Sequence, residues 1–208
     1  MPLTQYATDF LATLRRDTAV PTALVEKRIR DAGHDPHPVW LEFHDEYAGY
    51  IEELTPGDNA FWGLCHAADR EPPPVWVDAD QVHITPPSGQ LPQGIVCADA
   101  HPVHDYELLA NGHFLGVGGP AESFDRKLER HGLMMAFYKR GKVVQTRFER
   151  DLAKAENVEL IDEMRGSFLP EPSDKHAQYY LEPKRLLRVG PLIKQLVLYE
   201  VDPPAPAT

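Results

Sequence analysis

In the first part of the chain, apolar positions recur at a helical period. Leu3, Ala7, Phe10, Leu11 and Leu14 share one face and predict a first helix, whose negative C-terminal end suits Arg15 and Arg16. A second helix is predicted from about Pro21 to Ala32, with Leu24, Val25 and Ile29 as its stripe and Gly33 as its stop. A third begins near Pro38. Trp40, Phe43, Tyr47 and Ile51 fall on one face, and Glu42, Asp45, Glu46, Glu52 and Glu53 point elsewhere. Between the second and third, "GHDPHP" is a stiff connector, since each proline restricts itself and its predecessor.

The period changes after Pro56-Gly57. "AFWGLCHA" reads as a buried strand, and "QVHIT" and "GIVCADA" as short strands. "REPPPVW" cannot be a central strand, because its successive prolines offer no donors. Leu108 and Leu109 before Asn111-Gly112, with Phe114 and Leu115 after, predict a hairpin closed by a type I′ turn. Ser123 is a fitting N-cap for a helix that carries Phe124, Leu128 and Met135 through about Tyr138. "KVVQTRF" reads as a further strand or a continuation of that helix, and "AQYYLEP", "RLLRVG" and "KQLVLYEV" as strands. The expected fold class is α+β, with N-terminal helices packed on a mostly antiparallel sheet. Residues 1–150 form one domain, 151–201 extend it with strands, and 202–208 form a disordered tail.

Composition adds limits. Of 208 residues, 42% are hydrophobic and 25% charged, enough to bury a core. No apolar run approaches the roughly 18 residues that span a bilayer. The N-terminus lacks the basic start and apolar block of a secretory signal, so the expected location is the cytoplasm. Cys65 and Cys97 fall in predicted strands and read as small buried hydrophobes. The net charge of −11 is uneven: residues 31–125 hold seventeen Asp or Glu and one base, Arg70, while 126–150 hold eight Lys or Arg against Glu129 and Glu149. An acidic field repels nucleic acid and attracts cationic proteins or metal ions. The basic stretch reads as a solvated helix face.

Three pieces of candidate chemistry remain. Gly116, Gly118 and Gly119 lie between strand and helix, where a phosphate loop would lie. No base sits among them, Pro120 removes a donor, and Glu122 and Asp125 place negative charge where the phosphate would go. The cluster therefore reads as a hinge. Asp99, His101, His104 and Asp105 in "DAHPVHDY" are the sharpest metal candidates, but Pro102 implies a turn and no third distant ligand is marked. No nucleophile-elbow motif occurs, and Cys65 and His66 in a strand would point to opposite faces. Trp40, Phe43, Tyr47, Phe61 and Trp62 read as core rather than a stacking platform for bases.

The order of elements resembles a known family. Two helices lead into "HPVWLEF" at residues 37–43, Trp62-Gly63 follows, then "IVCADAHPVHDYELLANGHFLGV" with its hairpin, and Ser123-Phe124 enters a helix. Over about residues 20–140 this is similar to the SMI1/KNR4 (SUKH) superfamily, although His37-Pro38 stands where the family has Leu-Pro and the region after 150 has no counterpart. The resemblance implies a non-catalytic immunity protein that neutralises a cognate bacterial toxin; no metal and no cofactor are expected, and the acidic charge and the lack of a long apolar run imply no nucleic-acid or membrane partner. Many such toxins are basic nucleases, which an acidic inhibitor meets with favourable charge. The expected contact residues are Asp45, Glu46, Glu52, Glu53, Asp58, Asp69 and Glu71, which cluster in or beside the third helix and its loop. The alternatives are a metal-dependent enzyme using Asp99, His101 and His104, and a regulatory scaffold of the eukaryotic type.

Overall fold

A computed structural model describes residues 2–67, 81–99, 106–116 and 120–201. The fold is α+β, as expected. The described residues hold helices α1 (Gln5–Leu11), α2 (Thr22–Asp31), α3 (Pro38–Tyr47), α4 (Phe124–Tyr138) and α5 (Ala155–Glu163), together with two antiparallel sheets. The chain divides into two compact units, one of residues 13–124 and one of residues 1–12 with 125–208. The division therefore falls at Phe124, not near 150. Helix α1 groups with the C-terminal residues, apart from α2 and α3.

The unit of residues 13–124 is built on strands β1 (Arg15–Arg16), β2 (Tyr50–Thr55), β3 (Asp58–Trp62), β4 (Ile84–Thr85), β5 (Gly94–Asp99), β6 (Tyr106–Leu109) and β7 (Phe114–Leu115). They pair in the order β1-β2-β3-β5-β6-β7, with β4 beside β5. The predicted third helix stops short, and Ile51, Glu52 and Glu53 are strand residues. The cause is Gly49. Its φ of +90° is costly for any side chain, and a Cβ there would lie 2.2 Å from the Asp17 carbonyl oxygen. Its N–H donates to the Trp62 carbonyl at 2.9 Å, and its carbonyl accepts the Asp17 N–H at 2.8 Å. The helix is thus exchanged for sheet within two residues. Arg15 and Arg16 do not finish α1 but form β1. The Arg16 guanidinium instead serves the C-terminal end of α3, donating to the carbonyls of Glu46 (2.9 Å) and Ala48 (3.1 Å).

Two further details differ from expectation. Strand β3 ends at Trp62, because Gly63 adopts φ +145°, so Cys65 and His66 follow the strand and do not alternate within it. The β6–β7 hairpin is not closed by a type I′ turn. Gly112 N–H donates to Leu109 O (2.8 Å), Leu109 N–H to His113 O (2.8 Å), and of the three loop residues only Gly112 has positive φ. That is a three-residue loop, a type I turn with a glycine bulge.

The core of this unit gathers around Phe124. Its ring meets Phe43 at 4.8 Å, Tyr47 at 4.9 Å, Trp62 at 5.0 Å and Phe114 at 5.4 Å, mostly edge to face. Trp40 Nε1 donates to the Leu108 carbonyl at 2.9 Å, pinning α3 to β6. The five aromatic residues read as core from the sequence are all buried.

In the second unit, strands β8 (Val143–Glu149), β9 (Phe168–Leu169), β10 (Gln178–Leu181), β11 (Arg185–Gly190) and β12 (Gln195–Val201) pair as β8-β12-β11-β10-β9. "KVVQTRF" is thus a strand, and its partner is β12. One side of the sheet buries Tyr180, Leu187, Val189, Leu196 and Leu198 with Leu160 of α5, a helix the sequence reading did not anticipate, and Met164 just beyond it. Leu133 and Phe137 of α4 pack with Tyr179 and Leu186. The basic stretch is only in part a solvated face: α4 buries Lys127, Glu129 and Arg130 and exposes Met135, while Lys139, Arg140, Lys142 and Arg150 are exposed. Glu129 accepts the N–H (2.7 Å) and the hydroxyl of Thr4 at the start of α1. Arg130 Nε donates to Pro172 O at 3.0 Å, and its Nη2 lies 2.5 Å from Asp174 Oδ1, both side chains buried.

Truncating Phe124 to Ala should lower stability by about 3–5 kcal/mol in urea unfolding, while Met135→Ala stays within about 0.5 kcal/mol. Arg130→Met strands the Asp174 carboxylate without its cation. It should cost about 3–5 kcal/mol by the same measurement, with little dependence on salt.

Candidate functional site

Charge divides between the units. Residues 13–124 carry eighteen Asp or Glu against six Lys or Arg, a net of −12, and the remaining residues carry fourteen against fifteen, a net of +1. The described bases of the acidic unit are engaged. Arg15 pairs with Asp17 (3.4 Å), Lys27 with Asp31 (2.5 Å) and Arg30 with Glu26 (2.8 Å). Arg16 is held on carbonyls, and Arg28 on a cysteine sulfur. Glu42, Asp45 and Glu46 of α3 are exposed and form no ion pair among the described residues. Their i, i+3, i+4 spacing places them on one helical face. Glu42 belongs to this set although it was not among the expected contacts; the same spacing could have found it.

Of the seven expected contact residues five are described, and these are not all at the surface. Asp45 and Glu46 are exposed on α3, and Asp45 accepts a hydrogen bond from the Thr22 hydroxyl (3.1 Å). Glu53 is exposed on β2, its carboxylate accepting the Gly57 N–H (3.1 Å), and Asp58 is half-buried at the start of β3. Glu52 must be removed from the set, because it is only 4% exposed. It accepts a hydrogen bond from Trp62 Nε1 (3.2 Å), and its charge acts on the Tyr106 phenol. Burial, and after it the charge of Glu52, push the Tyr106 phenol above the ordinary tyrosine range. Asp69 and Glu71 lie outside the described residues.

The metal and glycine candidates fare similarly. His101, His104 and Asp105 lie outside the described residues, and Asp99 is buried at the end of β5. Among the described residues no three His, Cys, Asp or Glu side chains gather as a metal site. Gly118 and Gly119 are likewise outside, and Gly116 follows β7 directly.

A cleft of about 510 Å³ opens within the acidic unit. Residues Arg16 to Val20 line it, with Ala48 and Gly49, Phe61 and Trp62, and Cys65 to Ala67. Cys65 and His66 are both buried and both line it, contrary to the opposite-face expectation. The buried His44 ties two parts of its wall together. One ring nitrogen, Nε2, lies 2.7 Å from the Val20 carbonyl, and Nδ1 accepts the Leu64 N–H at 3.1 Å. Nε2 therefore carries the proton, and the ring is neutral.

Comparison of the chain with protein-family models, with curated proteins and with solved structures finds no match. Among the described residues no helix is long and apolar enough to cross a membrane.

Burial lowers the His44 pKa below its usual 6.5, only partly offset by the Val20 carbonyl and by Asp45. An unfolded chain takes up a proton at this residue near pH 6.5 and the folded chain does not. Stability from this group is therefore complete above about pH 6.5 and falls as the pH drops toward the lowered folded value. His44→Gln should show a smaller drop in urea midpoint between pH 7.5 and 5.5 than the parent protein.

Proposed function

We propose that this protein is a binding protein of the immunity type, which neutralises a basic toxin through the acidic face of α3. One observation carries the reading: Glu42, Asp45 and Glu46 stand exposed and, among the described residues, without ion pairs, in a unit whose described bases are already engaged. Fixed charges of one sign raise association rates with an oppositely charged partner and penalise partners of like charge. The resemblance of residues 20–140 to the SMI1/KNR4 (SUKH) superfamily supports the reading, through "HPVWLEF", Trp62-Gly63 and the hairpin. Contacts are assigned to Glu42, Asp45 and Glu46 of α3; Glu53 lies on β2, away from that helix in sequence, and Glu52 is withdrawn because it is buried.

The test uses the toxin-like C-terminal domain of a secreted protein encoded beside this gene. The two proteins should form a complex that blocks the toxicity of that domain. Its Kd should rise at least about tenfold between 50 and 500 mM salt, chiefly through a slower association rate. Combined Glu42→Lys, Asp45→Lys and Glu46→Lys should weaken it about a hundredfold. Absence of a complex, or one indifferent to both salt and charge reversal, would overturn the proposal.

A further inference from the structure

The basic stretch runs on into an open sheet edge, which the acidic face does not use. Strand β8 pairs with β12 on one side, and among the described residues no backbone hydrogen bond reaches Val143–Glu149 from the other. The outward N–H and C=O groups of this seven-residue strand are a template for a further strand. Proteins blunt such edges with bulges and bases, and β8 has both. Thr146 has no partner in β12, and residues 139–154 hold six Lys or Arg against Glu149 and Asp151. Protection alone does not account for the apolar side chains on the same edge: Val144 is 36% exposed and Phe148 45%. The bulge sends them to opposite faces. Phe148 lies across from Val197 and shares the face where α4 packs, and Val144 lies across from Glu200 on the face of α5. Each face of the edge thus offers one apolar contact.

We propose that β8 is a strand-addition site, where an extended acidic segment of another protein, with apolar residues on both of its faces, adds one strand to the five of this sheet. Charge chooses the occupant. Lys139 and Arg150 are exposed and in no ion pair among the described residues, and Glu149 is already neutralised by Lys154 at 2.7 Å. Of the other bases, Arg147 is held by Glu156 and Arg140 by the carbonyls of Glu182 and Pro183. The Arg150 guanidinium lies over the Phe148 ring at 5.6 Å, so a docked segment meets a base beside an apolar contact. Screening limits the reach of exposed charges to about 10 Å at 0.1 M salt, so these bases act on a docked strand although the whole chain carries −11. A second copy fits less well. Two β8 strands paired antiparallel about Thr146 would set Lys142 against Arg150 at both ends, like charges directly opposite. The edge belongs to the unit of residues 1–12 and 125–208, so the proposal stands or falls apart from the reading of α3.

The experiment pans phage-displayed random peptides of seven residues, the length of β8, over the immobilised full-length protein. Selected sequences are then measured as labelled synthetic peptides by fluorescence anisotropy, and their site is mapped by hydrogen exchange. The expected sequences combine Asp or Glu with Val, Ile, Phe or Tyr, bind once per chain and slow exchange in residues 143–149. Their Kd should rise at least about tenfold between 50 and 500 mM salt. Lys in place of the peptide's acids, or Lys139→Glu with Arg150→Glu in the protein, should each weaken binding about tenfold. Val144→Ser with Phe148→Ser should do the same without loss of fold, since both side chains are exposed. N-methylation of alternate peptide amides should abolish binding in one of the two registers and spare it in the other, because a strand pairs through one edge. A library that yields no binder, binders without an acidic excess, protection outside β8, or equal tolerance of both methylated registers would overturn the proposal. So would a dimer of the parent protein in sedimentation that Phe148→Ser dissolves, since the edge would then serve a second copy. Should the charge-reversed protein not fold, the Lys-substituted peptide decides: undiminished binding overturns the proposal, and a tenfold loss supports it.

Discussion

The approach of Gly49 to Asp17 is the constraint on which the acidic unit is organised. Backbone meets backbone at a distance that leaves no room for a methyl group, in a conformation that disfavours one anyway. Three things follow from this contact. Helix α3 ends where its carbonyls can be capped by Arg16, β2 begins beside β1, and the segment after Arg16 is held against the end of β3 so that a cleft remains between them. A single glycine thereby sets the limits of both the charged helix face and the cavity.

Where the chain's own periodicity carried the information, the sequence was readable. Helices α2 and α4, the strands β5, β6 and β10 to β12, and the aromatic core all follow from local apolar patterning. Reading failed where distant segments decided the outcome. Nothing local to Gly49 marks it as a meeting point with Asp17, so the apolar spacing of Trp40, Phe43, Tyr47 and Ile51 continues as a false helix. Charge was misread for the same reason. Lys127, Glu129 and Arg130 look like a solvated face until Thr4 and Asp174 are in place, and Glu52 looks like surface until Trp62 and Tyr106 come to meet it. A buried ionisable group is recognisable only with its partner, and these partners come from elsewhere in the chain.

The acidic face of α3 was partly legible and the cleft was not. Acidity is a property of composition, and α3 needs only helical spacing to align Glu42, Asp45 and Glu46. The cleft, by contrast, draws residues from four separate stretches. Cys65 and His66 were read as strand neighbours on opposite faces, and only the turn at Gly63 releases them from that alternation.

The pairing of Thr4 with Glu129 spans 125 residues of sequence. During synthesis, at about 5–20 residues per second, the first segment must wait roughly 6–25 s before its acceptor exists. The sheet of that unit must wait longer, because its last-made strand, β12, lies inside it between β8 and β11. Helix α1 has seven residues, too few to hold a helix by itself in water. Residues 1–12 therefore emerge long before their partners, whereas the described core around Phe124 draws only on residues made by the time Phe124 is added.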